Sequence, residues 1–274
     1  MYQSITLVIL ITSGLLIAST MRPSKVKKIW KEEGLALGTL VKSTDPVHTE
    51  VLSQMGFDFL WYDLEHSDKS VETFSNLCRA SRVGEVDVLA RPARWESMRM
   101  GRLLEAGAHG IMYPRCESAE EACEVIRWAK FSPLGERGFD GGSADNNFGS
   151  YPAGDYTQSA NQESWILIQI ESPAALPHVR EIAEIEGVDG IFFGPGDFSL
   201  LSGKPGQIKD EEVLNAATQI AKDTRAAGKV FGTLVFDADH SKFMQDAGAQ
   251  LLIHGADIVY YKSAYTDLLA EYNR

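Results

Sequence analysis

Past the first thirty or so residues, short apolar runs alternate with longer amphipathic stretches along almost the whole chain. The apolar runs predict strands at Leu37–Val41, Asp58–Asp63, Val86–Arg91, Gly110–Tyr113, Trp165–Ile170, Gly190–Phe193, Val230–Val235 and Leu251–His254. Between and after them, helical spacing predicts Pro46–Met55, Ser70–Val83, Glu96–Glu105, Ala119–Lys130, Ala174–Ala183, Glu211–Ala226, Ala238–Asp246 and Asp257–Tyr272. Runs such as Ile191-Phe192-Phe193 are what a strand covered on both faces looks like. Glycine follows most helices (Gly56, Gly84, Gly107, Gly187, Gly228, Gly248), as it does where a helix stops before a parallel crossover. Eight strand-helix units in about 250 residues predict a (β/α)8 barrel. A doubly wound open sheet is the alternative, but no Gly-x-Gly-x-x-Gly spacing supports nucleotide binding by it.

Two regions break the rhythm. Residues Ile5 to Ala18 are apolar and end in small residues, like a signal-peptide core, yet no positive n-region precedes them. Met21 opens a basic, helix-like stretch, so residues 1–20 read either as a signal-like leader or as an upstream extension of a chain starting at Met21. Residues 21–274 then form one barrel domain, cytoplasmic in the second case and exported in the first. The other break is Gly135 to Glu163, rich in Gly, Ser, Asp and Asn and read as a long loop. Its aromatics Phe139, Phe148, Tyr151 and Tyr156 predict an ordered cover, a lid or neighbour contact on the same barrel end as Asp197.

Composition narrows the partners. Of 274 residues 26 are basic and 38 acidic, a net charge of -12 that phosphate backbones and anionic lipid repel, so neither nucleic acid nor a stable membrane association is expected. Cys78, Cys116 and Cys123 lack Cys-x-x-Cys spacing and read as free thiols in a reducing compartment.

In a barrel the chemistry sits where strands end, and polar residues gather there. Strand two ends in Asp63-Leu64-Glu65-His66, strand three in Arg91-Pro92, strand five in Gln169-Ile170-Glu171, and strand six runs through Gly194-Pro195-Gly196 into Asp197. Asp63 and His66, three apart, suit a carboxylate-imidazole dyad with a base near neutral pH; capping of the next loop is the plainer reading. Glu171 and Asp197 end neighbouring strands, and a divalent cation relieves the repulsion between two such carboxylates. Oxygen ligands with open positions suit Mg²⁺ or Mn²⁺ and let an α-keto acid chelate the ion. Arg91, always charged, suits stabilisation of an enolate oxygen, or else a salt bridge across the barrel mouth. A Schiff-base mechanism needs a desolvated lysine at a strand end, and Lys42, the one candidate, lacks an apolar setting. His109, near the start of strand four, reads as a structural histidine.

These motifs, with Leu37-Gly38-Thr39, Gly56-Phe57-Asp58-Phe59, Leu104-Glu105-Ala106-Gly107-Ala108, Ser132 to Gly138 and Gly187-Val188-Asp189-Gly190, make the chain resemble the metal-dependent class II pyruvate aldolases of the 4-hydroxy-2-oxoheptanedioate aldolase family. That family is related to 2-dehydro-3-deoxyglucarate aldolase and the citrate lyase β-subunit. The resemblance implies a TIM barrel of the phosphoenolpyruvate/pyruvate type, commonly a hexamer whose last helix packs on a neighbour. It implies cleavage of a 4-hydroxy-2-oxo acid to pyruvate and an aldehyde, with Mg²⁺ or Mn²⁺, and Co²⁺ as a further possibility. Glu171 and Asp197 become the metal ligands, and His66 with Asp63 the general base acting through a water. Arg91 stabilises the enolate, while Gln169 and the backbone at Gly196-Asp197 hold the pyruvoyl end. A CoA-thioester lyase or an oxaloacetate decarboxylase would use the same enolate chemistry. Departures are Glu105 where the family often has Asp, at a position that buttresses the dyad, Gly196 where Ala is usual, and Phe198 where Leu is usual. The loop from Phe139 differs as well, which leaves the aldehyde half of the substrate undefined.

Overall fold

A computed structural model describes residues 21–273; the leader-like segment 1–20 lies outside the described residues. The strands are β1 Ala36–Val41, β2 Phe59–Asp63, β3 Asp87–Arg91, β4 Gly110–Tyr113, β5 Trp165–Ile170, β6 Gly190–Phe193, β7 Val230–Val235 and β8 Leu251–Ala256. They pair in parallel, in chain order, and β8 closes on β1 to complete the predicted barrel. The helices are α1 Lys25–Lys31, α2 Pro46–Ser53, α3 Val71–Ser81, α4 Ser97–Ala106, α5 Ala119–Ala129, α6 Ala153–Glu163, α7 Val179–Glu184, α8 Pro195–Leu201, α9 Glu211–Ala226, α10 Ala238–Asp246 and α11 Asp257–Glu271.

Two apolar layers hold the barrel. Phe59, Trp61, Leu89, Met112, Trp165, Leu167, Phe192, Leu251 and Ile253 form one buried cluster inside it, which Val26 of α1 joins at the N-terminal end. A larger cluster fills the space between strands and helices, with Leu60, Tyr62, Val88, Ile111, Ile168, Ile191 and Phe231 facing it. Successive strand residues therefore face opposite layers, both apolar, which is why the strands read as unbroken runs. Gly110 makes room for the Trp165 indole: a Cβ there would lie 2.5 Å from the ring.

Three expectations change. The helix expected over Ala174–Ala183 is a 3-10 turn, Pro173–His178, followed by the short α7, because Pro177 within it has no N–H to give an α-helical bond. The sequence predicts no helix between Ala183 and Glu211, yet Gly194 caps α8, with Pro195 where a first-turn proline suits a helix and Asp197 in the same turn.

The long segment before β5 is not a lid over Asp197. It follows α5 rather than β4, so it joins the N-terminal end of the barrel, and it carries a 3-10 turn at Ala144–Asn146 and the helix α6. Arg137 anchors it, pairing with Asp145 at 2.8 Å while the Tyr156 hydroxyl donates to the same carboxylate at 2.6 Å. The Tyr156 ring packs on Phe131 and Phe139, with centroids 5.4 and 5.9 Å away. Among the described residues no helix is long and apolar enough to cross a membrane.

Candidate active site

At the C-terminal end, the register of β2 on β3 sets Asp63 directly beside Arg91. Arg91 grips that carboxylate with both arms, Nε to Oδ1 and Nη2 to Oδ2, each at 2.9 Å. Lys42 Nζ approaches the same group at 3.4 Å. Burial alone would raise the Asp63 pKa, but the Arg91 hydrogen bonds and charge, with Lys42, hold it down at about 2. The guanidinium lies over the Trp61 ring, 4.8 Å from its centroid, and is itself buried. Desolvation acts to lower the Arg91 pKa, and the Asp63 contacts outweigh it, so Arg91 is held firmly charged.

The rest of the cluster follows from Arg91. Its Nη1 reaches Gln169 Oε1 at 3.4 Å, and Gln169 Nε2 donates to Glu171 Oε2 at 2.6 Å. Glu171 Oε1 accepts the Arg115 N–H at 2.9 Å. Burial drives the Glu171 pKa up to about 8; Arg91 opposes this, and the carboxylates of Asp197 and Glu65 reinforce it. Gly194 is glycine because the Glu171 and Gln169 side chains lean over it: a Cβ there would lie 2.6 Å from Glu171 Oε2 and 2.7 Å from Gln169 Nε2. At Gly196, by contrast, an added Cβ would have no protein atom within 4 Å, so no protein contact requires glycine there.

The structure thus brings together Asp63, Arg91, Gln169 and Glu171, with Asp197 half-buried and close enough to raise the Glu171 pKa. Two expectations need correction. The Asp63 carboxylate does not bind the His66 ring; it accepts the backbone N–H groups of Glu65 and His66 at 3.1 and 3.3 Å, because Arg91 already occupies its outward lone pairs. The imidazole is largely exposed, and the carboxylate nearest it is Glu65, 3.8 Å from Nε2. Glu105 is not in this cluster within one chain: the charges acting on its carboxyl are Arg137, Asp145, Asp140 and Arg102, and burial raises its pKa.

Sequence reasoning misses Glu65 and the partners of Lys42. Glu65 is half-buried, with its pKa raised by burial, and its Oε2 has no hydrogen-bond donor among the described residues although Arg91 Nε lies 3.3 Å away, since that N–H points to Asp63. Its place two residues after Asp63 is the signal that could find it. Asp257, at the start of α11, accepts the N–H groups of Lys42 and Ser43, both at 2.9 Å, and pairs with His48 at 3.1 Å. That network fixes the end of β1 and so the approach of Lys42 to Asp63. His109, as expected, is structural: its Nδ1 accepts from Arg22 at 3.1 Å and burial lowers its pKa to about 4. Cys78 and Cys116 are buried free thiols and Cys123 is an exposed one.

Among the described residues no three His, Cys, Asp or Glu side chains are gathered to hold a metal. What the cluster offers a cation is the pair Glu171 and Asp197, whose mutual repulsion a positive charge would relieve. Two carboxylates with open positions match the oxygen-rich, partly hydrated coordination of Mg²⁺ or Mn²⁺, so the donor set fits such an ion.

Residues 37–264 match the sequence profile described as HpcH/HpaI aldolase/citrate lyase. The chain is 31% identical over 228 residues to the hydroxypyruvate/pyruvate aldolase of Delftia acidovorans, covering 83% of this chain and 84% of that one. It is 32% identical over 250 residues to the 5-keto-4-deoxy-D-glucarate aldolase of Enterobacter sp. (strain 638), covering 91% and 96%. The crystal structure of the HpcH/HpaI aldolase from Desulfitobacterium hafniense DCB-2 superposes with a TM-score of 0.86 at 28% identity, over 90% of this chain and 96% of that one. Fold, strand-end cluster and relatives agree that this carbon-carbon lyase belongs to the HpcH/HpaI aldolase/citrate lyase family.

Proposed function

We propose that the protein cleaves a 4-hydroxy-2-oxo acid reversibly to pyruvate and an aldehyde. The observation that carries this is Arg91, buried, fixed by Asp63 and reaching Gln169 next to the Glu171-Asp197 pair. A fixed cation beside a carboxylate pair suits a substrate whose C2 oxygen gains negative charge as the bond breaks. The relatives' names, aldolases of hydroxypyruvate/pyruvate and of 5-keto-4-deoxy-D-glucarate, point to the same class of substrate.

Glu171 and Asp197 would hold a divalent cation, Mg²⁺ or Mn²⁺ with Co²⁺ as an alternative, which supplies Lewis acidity toward the keto oxygen. Arg91 shares the charge of the enolate oxygen without losing its proton. Gln169 and the backbone of Gly196-Asp197 position the pyruvoyl end. His66, exposed at the mouth, takes the 4-hydroxyl proton through a water. The C3–C4 bond then breaks, C4 leaves as the aldehyde carbonyl, and the electron pair passes to the enolate, which is protonated at C3 to give pyruvate. Asp63 acts here through Arg91 and the backbone of His66 rather than as a dyad partner.

We read the enzyme as a homo-oligomer, a hexamer by resemblance. In support, α11 leaves Tyr261, Tyr265, Leu268 and Leu269 uncovered. In that assembly Glu105 acts on a neighbour's site, since it does not reach its own.

Pyruvate release from a panel of 4-hydroxy-2-oxo acids, measured with and without chelator, tests the reading. Activity should vanish with chelator and return with Mg²⁺ or Mn²⁺. Inactivation by borohydride in the presence of pyruvate, together with indifference to chelator, would show a Schiff-base enzyme instead. In the structure Lys42 Nζ is held 3.4 Å from the Asp63 carboxylate.

A further inference from the structure

At the N-terminal end of the barrel, opposite the strand-end cluster, lies a cavity of about 340 Å³ between the segment entering α1, the ends of α3 and α4, and the loop before α6. Two guanidinium groups line it, Arg22 and Arg82. Arg22 Nη2 donates to the Val86 carbonyl and to His109 Nδ1, each at 3.1 Å. Arg82 Nη2 donates to the Ala144 carbonyl at 3.2 Å. All these acceptors are neutral. His109 accepts with the nitrogen facing Arg22, and burial, by lowering its pKa to about 4, keeps it uncharged. Both arginines are thus held in place, and among the described residues neither forms a direct ion pair.

The carboxylates nearby are engaged elsewhere. Asp145, itself part of the cavity lining, pairs with Arg137 at 2.8 Å and accepts the Tyr156 hydroxyl. Asp87 accepts from the Ser24 hydroxyl and from the N–H groups of Lys25 and Val26. The exposed Glu85 pairs with neither arginine among the described residues. Burial lowers the Arg22 pKa; the Asp87 charge pulls the other way, and the neighbouring Arg82 charge adds a smaller lowering. Two partly desolvated like charges beside a cavity are costly unless an anion joins them.

We propose that this cavity is a phosphate-binding site, in which Arg22 and Arg82 clamp the oxygens of inorganic phosphate or of a small phosphate monoester. Two cations match the dianion in charge, and guanidinium forks match its oxygens in geometry. The volume suits a small ligand. The site is separate from the strand-end cluster, so occupancy does not compete with a keto acid.

Calorimetric titration of the full chain at constant ionic strength, with chelator present to keep phosphate from any bound metal, tests this with inorganic phosphate and with methyl phosphate. Saturable binding is expected, unaffected by Arg91→Gln and weakened about tenfold or more by Arg82→Gln and by Arg22→Gln. Arg82→Lys, which keeps the charge and loses the fork, should retain intermediate affinity and covers the case in which a glutamine variant misfolds. Tighter binding of methyl phosphate than of inorganic phosphate identifies an ester as the ligand, and the reverse identifies the free ion. Absence of binding to the full chain, or binding lost in Arg91→Gln and kept in Arg82→Gln, overturns the proposal.

Discussion

Buried charge is handled differently where α1 and α6 seat on the N-terminal end of this barrel, apart from Arg22 and Arg82, and at its strand ends. At the N-terminal end Asp87 takes three donors, Ser24, Lys25 and Val26, and the Lys130 ammonium is fixed by the Ser164 carbonyl at 2.7 Å and hydroxyl at 3.0 Å. These groups tie α1 and α6 to the barrel. At the C-terminal end one pair is satisfied, Asp63 with Arg91, while Glu65 keeps an oxygen without a donor and Glu171 faces further negative charge. Buried charge that is fully partnered holds a fold; buried charge left in conflict is waiting for something that is not protein.

The sharpest way to break that contrast is to remove Glu171. Glu171→Ala should lower turnover by about a thousandfold and abolish divalent-cation binding, read by steady-state kinetics and calorimetry, while leaving the fold intact. Retained turnover would remove the carboxylate pair from the mechanism. The pH dependence gives the same contrast without chemistry. Glu171 titrates at about 8 in the folded protein against an ordinary 4.5, so the folded state holds a proton that the unfolded state has lost. Stability of the metal-free protein should therefore fall as pH rises through that window and level off above it. In Glu171→Gln that contribution to the slope should disappear, as thermal melts in chelator would show.

Asp87→Ala makes the opposite change at the opposite end. It leaves the Ser24 hydroxyl and the N–H groups of Lys25 and Val26 without their acceptor, and should cost about 3 kcal/mol of stability. Turnover per folded molecule should stay within about twofold, since nothing in the strand-end cluster touches Asp87. A large loss of turnover with the fold intact would mean the two ends are coupled.

How legible the molecule is in its sequence follows the same division. The strands can be read because both faces are covered by apolar layers, and Asp63, Arg91, Gln169, Glu171 and Asp197 can be read because a barrel concentrates its chemistry where strands end. The Asp63-His66 dyad is a misreading because spacing along the chain does not show register: β3 sets Arg91 beside Asp63, and both carboxylate oxygens go to it. Glu65 escapes notice because its isolation is a property of what surrounds it. The helices α6 and α8 are hidden by composition, one among Gly, Ser and Asn and the other behind Gly194-Pro195-Gly196. The long segment falls on the wrong side when it is attached to β4, because α5 carries the chain back to the other end first.

The smallest change separates the two glycines flanking Pro195. Gly194→Ala would press a methyl into the Glu171 and Gln169 side chains, displacing the carboxylate on which the first prediction depends, so it should resemble a mild form of Glu171→Ala. Gly196→Ala meets no protein atom and lies in the first turn of α8, where alanine is the better helix former, by up to about 1 kcal/mol as in a helix interior. Stability should therefore rise slightly, and the Michaelis constant for the keto acid should change by no more than about threefold if the Gly196-Asp197 backbone holds the substrate through its N–H groups alone. A marked rise in that constant with turnover unchanged would show that the substrate carboxylate lies against the glycine itself, using space the protein leaves open only for it.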